Sequence, residues 1–193
     1  LEGRSWDQYE YYIDSVQMVG RMSNSTLSTE DLGYFAPALR TWNTSVRNAT
    51  ADFRGLVRHF EGVVHHADIA KESHFAGTFD IKGIPAWQTS KYVIGVEDLY
   101  VTSNDILALT DNILHEPLDG KVRDIVSRAK WVSARGTFGG YLHNFRVVGN
   151  VGSGEGGLSA DIKMAKEEDV RHRLQGRVKT SRLDMGELLS LNV

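Results

Sequence analysis

Glu61 and His65 stand four residues apart within Phe53–Ala70, FRGLVRHFEGVVHHADIA, with His66 adjacent and His74 a little further on. On a helix that spacing puts a carboxylate and an imidazole one turn apart on one face. They could then offer two ligands to a metal ion or work as an acid/base pair. Glu61, His65 and His66 are therefore the candidate metal or acid/base residues. A plainer account competes: Arg58, Glu61, His65 and Asp68 form a run of exposed helical ion pairs, each contributing about 0.3–0.5 kcal/mol. No HExxH, no HxH and no second carboxylate–histidine pair accompanies them, so a small metal-dependent or acid/base enzyme is the alternative reading, and no cofactor is expected.

A second set of residues is basic. Lys121, Arg123, Arg128, Lys130, Arg135 and Arg146 are interleaved with Trp131, Phe138, Tyr141 and His143. Cations for phosphates and aromatic rings for bases compose a surface for single-stranded nucleic acid. The same residues could instead be core aromatics with snorkelling cations. A further basic cluster, from Lys163 to Arg182, is balanced in part by Glu167, Glu168 and Asp169.

Three motif matches fail on context. Gly152-Ser153-Gly154-Glu155-Gly156-Gly157 fits GxGxxG, but only 36 residues follow it and Glu155 would set a carboxylate where a pyrophosphate must lie. Ser127-Arg128-Ala129-Lys130 fits SxxK without its partner motifs in the needed order. Asn24-Ser25-Thr26, Asn43-Thr44-Ser45 and Asn48-Ala49-Thr50 fit the glycosylation acceptor pattern. They read more simply as helix-capping residues.

The elements that would position these residues follow from periodicity. In Phe53–Ala70, Phe53, Leu56, Val57, Phe60, Val63, Val64 and Ala67 recur at three- and four-residue steps, the stripe of a central helix. Gly55 and Gly62 on its flank would each cost a helix about 1 kcal/mol, which argues for close packing against a neighbour. Ser5 with Gln8, then Trp6, Tyr9, Ile13 and Val16, with Met22 as a further apolar position, predict an earlier helix. Leu32, Phe35, Leu39, Trp42 and Val46 predict another, interrupted near Pro37. Short strands are expected at 78–81, 90–96 and 99–101, where β-branched and aromatic residues sit between glycines. Ser103 or Asn104 caps a helix carrying Ile106, Leu107, Leu109, Ile113 and Leu114, and 115–120 makes a turn at Pro117. A further helix is expected over 121–135, strands over 138–151, a flexible-composition loop over 149–157 and a charged helix over 162–175. The tail with Val178, Leu183, Met185, Leu188, Leu189 and Leu191 reads as an apolar docking segment.

These elements predict an α+β fold: a predominantly helical N-terminal half with a small interrupted antiparallel sheet built from the middle, 77–102, and from 136–151. The 193 residues are expected to form a single domain, helical over about 5–72 and mixed over about 75–193. No apolar run reaches membrane-spanning length, so no membrane partner is expected. The absence of cysteine excludes disulfides and thiolate chemistry and leaves localisation open. A first residue of Leu1 rather than Met is what a processed or excised product would show, with 1–4 as a remnant.

Net charge is −3, unevenly distributed: residues 1–120 hold 9 Lys/Arg against 17 Asp/Glu, and 121–193 hold 13 against 8. That asymmetry suits head-to-tail attraction between copies, unless folding intermixes the charges. With no complete catalytic signature, the expected function is a non-enzymatic self-assembling structural subunit of coat or scaffold type. Its partners would be copies of itself and single-stranded nucleic acid.

Overall fold

Alternation with a period of two, not a helical stripe, orders most of this chain. The computed structural model describes residues 15–32, 44–84, 86, 88–114, 119–166 and 172–181. Nine strands are formed: β1 (Gln17–Ser28), β2 (Ser45–Leu56), β3 (His59–Asp68), β4 (His74–Lys82), β5 (Lys91–Thr102), β6 (Trp131–Tyr141), β7 (Asn144–Ser153), β8 (Gly156–Lys166) and β9 (His172–Ser181). Each pairs antiparallel with the next, so the spatial order of the strands is their order in sequence. This is one long meander. Among the described residues three helical elements of a turn or more accompany it: a single turn, α1 (Thr29–Leu32), and the pair α2 (Ser103–Leu114) and α3 (Gly120–Ala129) between β5 and β6.

This corrects the expected fold class. Residues 17–28, 45–56 and 59–68 are strands of the large sheet, not helices of a helical half. In the stretch 53–70, Val57 and Arg58 form a turn, so the apparent stripe belongs to two strands folded back on each other. Read at period two, Phe53 and Gly55 share a face with Phe60, Gly62 and Val64. The expected charged helix over 162–175 is the end of β8 and the start of β9, and the glycine run at 149–157 is a hairpin that turns at Gly154-Glu155. The helix expected to reach Arg135 stops at Ala129, because Lys130 takes a φ of 62° and turns the chain into β6. Asn24 and Asn48 are not helix caps. With φ of 47° and 50°, they sit where the β1–β2 and β2–β3 registers shift, as bulge residues. The expectations for Ser5–Ile13, for the helix start near Pro37, for the turn at 115–118 and for the tail Leu183–Leu191 fall outside the described residues.

Strand pairs 78–81, 90–96, 99–101 and 138–151 are where expected, and so is the helix that begins at Ser103. That helix is tied in at its first turn. The Asp105 carboxylate accepts from the Ser73 hydroxyl at 2.6 Å and the Glu72 amide at 2.8 Å. The Ser73 hydroxyl accepts from the Thr102 amide, and the Thr102 hydroxyl from the Asp105 amide. Ser73, Ser103 and Asp105 are buried here. The Ser103 hydroxyl reaches the Val126 carbonyl at 2.6 Å and its amide the Lys130 carbonyl at 2.9 Å, closing the helical excursion at its base.

Registers assign every strand residue to a face, since directly opposed residues point the same way. One face carries Met18 and Met22, Phe53, Phe60 and Val64, Phe75, Phe79 and Ile81, Tyr92, Ile94 and Val96. It continues through Val132 and Phe138, Phe145 and Val147, Leu158, Ile162 and Met164 to Leu174 and Val178. Glycines lie between these residues and seat the rings. A Cβ at Gly20 would fall 2.1 Å from the Phe53 ring, and one at Gly62 would fall 2.6 Å from the Phe79 ring. Close ring contacts link Phe53 to Phe60, Phe60 to Phe79 and Phe138 to Phe145, at 5.2, 5.3 and 5.0 Å. The close approach that Gly55 and Gly62 suggested is thus partly ring over backbone, within one sheet.

Candidate functional site

The two faces are chemically opposite. On the apolar face no charged side chain appears along the paired strands until Lys166 at the end of β8. Its rings and aliphatic groups are only half-buried in the main, while Val151, Leu174 and Val178 are exposed. The buried hydrophobic residues among those described are Ala49, Ala51, Ala67 and Val101 alone. No second layer covers this face among the described residues: α2 and α3 pack on each other and touch the sheet chiefly at β5.

The other face is a charge ladder. Arg21 opposes Asp52 across β1–β2 with its Nε 2.6 Å from the carboxylate, and Arg54 opposes Glu61 across β2–β3 at 2.6 Å. His65 reaches the second Asp52 oxygen at 2.8 Å. Hydrogen bonds from Arg21, then His65, hold the Asp52 carboxyl below the usual carboxylate range. On the far side Arg146 grips Asp161 through two bonds of 2.8 Å and lowers that carboxyl likewise. An open depression of about 780 Å³ lies on this face over β1–β5, between Arg21, Arg54 and Asp80 and floored by Val19, Val63 and Val93.

The sequence candidates separate here. Glu61, His65 and His66 all lie on β3, but each goes to a different partner. Glu61 meets Arg54, His65 meets Asp52, and His66 meets Asp68 at 2.9 Å. His66 also stacks on His74, which continues to Tyr100 and Trp131 at ring separations of 6.0, 5.7 and 6.0 Å. Glu61 is instead grouped with His59 and Asp80, a combination that the helical reading could not suggest. At strand spacing, residues 59 and 61 share a face, and cross-strand register brings Asp80 opposite Glu61.

The six basic candidates are spread over three elements. Lys121, Arg123 and Arg128 belong to α3, Lys130 to the turn after it, Arg135 to β6 and Arg146 to β7. Arg123 lies 3.3 Å from Asp111 of α2, Arg135 lies 3.8 Å from Asp98, and Arg146 is held by Asp161. Their expected aromatic partners are divided too. Trp131 stacks within the polar-face row, and Phe138 lies against Phe145 on the apolar face.

No helix among the described residues is long and apolar enough to cross a membrane. No protein-family model, curated protein or solved structure matches the chain.

Proposed function

We propose that this chain is a non-enzymatic binding module whose working surface is the apolar sheet face, and that the face holds the hydrocarbon portion of an amphiphile. The observation carrying this reading is a face without charge until Lys166, continued across nine strands with no covering layer among the described residues. Eight interstrand steps of about 4.8 Å make it about 38 Å wide, well beyond the isolated apolar patches that monomers ordinarily expose. A protein partner would be expected to find roughly one hydrogen bond per 100–200 Å², and this face offers almost no side-chain donors or acceptors. A hydrocarbon chain needs none, and gains about 0.8 kcal/mol for each buried CH₂.

The test is titration of the purified chain with a fluorescent long-chain fatty acid, with mass spectrometry of any amphiphile that copurifies. Ile94→Glu and Val147→Lys, each placing a charge mid-face, should weaken probe binding at least tenfold. Failure of the wild-type chain to bind an apolar-chain probe would end this reading.

Self-assembly as a coat or scaffold subunit is the second reading, and strand order favours it. Because sequence order is spatial order, the basic excess of the later strands, 7 Lys/Arg against 1 Asp/Glu in β6–β9, lies to one side of a sheet whose earlier strands, 5 against 6 in β1–β5, are near balance. Light scattering at low and high salt, with the 260/280 absorbance ratio, tests it. Salt-sensitive particles would support assembly, and copurifying nucleic acid would direct substitutions to Arg123, Arg128 and Arg135. A salt-indifferent monomer would remove it.

A further inference from the structure

We propose that His59, Glu61 and Asp80 bind a divalent transition-metal ion on the polar face, with zinc the best match. One ligand atom from each of the three lies within 4.8 Å of the other two. Their backbone setting is regular: His59 and Glu61 are alternate residues of β3, and Asp80 of β4 is directly opposite Glu61. The His59 Nε2 already reaches Asp80 Oδ1 at 3.0 Å.

Two carboxylates directly opposed across a ladder repel each other. Three basic groups are gathered around them. Arg54 bonds Glu61 Oε1 at 2.6 Å, Lys82 lies 3.8 Å from Asp80 Oδ2, and His59 takes the remaining Asp80 contact. A cation would take one carboxylate oxygen from Glu61 and one from Asp80 with a ring nitrogen of His59, in place of the present His59–Asp80 hydrogen bond. Arg54 and Lys82 then act as outer partners that orient the carboxylates. One imidazole and two carboxylates is a donor set that zinc accepts at bonds of about 2.0–2.2 Å. Its ligand atoms then sit roughly 3–3.5 Å apart, a short closing movement for side chains that are partly solvent-exposed. Three protein ligands leave a coordination position for water.

The experiment is calorimetric titration of the intact chain with zinc, repeated on His59→Ala, Glu61→Gln and His65→Ala. One ion per chain is expected, with affinity lost at least tenfold in the first two variants. It should stay within twofold in the third, whose imidazole serves Asp52. Cobalt(II) in place of zinc should give a visible absorption spectrum that disappears in His59→Ala. Circular dichroism of each variant separates loss of the site from loss of the fold. No zinc uptake at millimolar concentration, or uptake that survives His59→Ala, would overturn the proposal. It stands independently of the amphiphile reading, which concerns the opposite face.

Discussion

Asp105 shows how one buried carboxylate can fasten two parts of the chain. Burial alone would raise its pKa, yet hydrogen bonds from the Ser73 hydroxyl, the Glu72 and Lys71 amides and the Thr102 hydroxyl hold it below the ordinary carboxylate range. Asp105→Ala strands those donors and should cost about 2–3 kcal/mol at neutral pH, read by urea denaturation. Because the folded pKa is depressed, this contribution is complete above the unfolded value of about 3.9 and is lost as pH falls through the folded value. The gap between wild type and Asp105→Ala should therefore narrow in strong acid. Gly62 gives a second residue-scale prediction. A side chain there meets the Phe79 ring and the Asp52 carbonyl, each at 2.6 Å, so Gly62→Val should cost about 1–3 kcal/mol of stability by forced repacking.

At the scale of elements, the ends of the sheet should behave unlike its middle. β9 is exposed along its length and has a strand partner on one side, whereas β4 and β5 are flanked on both. Hydrogen exchange should give β9 little protection and β4–β5 the strongest; uniform protection across all nine strands would refute this. The same elements explain what could be read in advance. The helix at Ser103 was legible because its cap and its apolar spacing agree. The strands at 91–102 were legible from Tyr92, Val93, Ile94 and Val96 between glycines. The strand β3 was not, because Phe60, Val63, Val64 and Ala67 satisfy a helical stripe by coincidence across a bulge between Val64 and Ala67. The contrary signals were Gly55, Gly62 and the β-branched pair Val63-Val64. In β8 the alternation of Leu158, Ala160, Ile162 and Met164 was hidden by the charged run that follows it. Glu61 stood out as a candidate ligand in the sequence, but His59 becomes its neighbour only at strand spacing.

At the scale of the molecule, the meander turns a sequence profile into a lateral one. The paired charges at Asp52, Glu61 and Asp80, near balance, lie toward one side, and the basic excess of Lys163, Arg173, Arg177 and Lys179 toward the other. If this gradient drives association, end-to-end assembly should weaken as ionic strength rises, and Arg177→Glu should weaken it at low salt, both measurable by light scattering.

The helical excursion between β5 and β6 also shapes how the chain reaches this structure. Consecutive pairing keeps contacts local, which favours fast hairpin-by-hairpin folding, and the β5–β6 pairing must close the longest loop among the described residues. The clasp from Ser103 to Val126 and Lys130 ties the ends of that loop together, and if formed before the strands meet it would shorten the closure. β1–β5 and β6–β9 would then nucleate separately and join late. Ser103→Ala should slow refolding more than it speeds unfolding, the kinetic mark of a contact already made at the barrier.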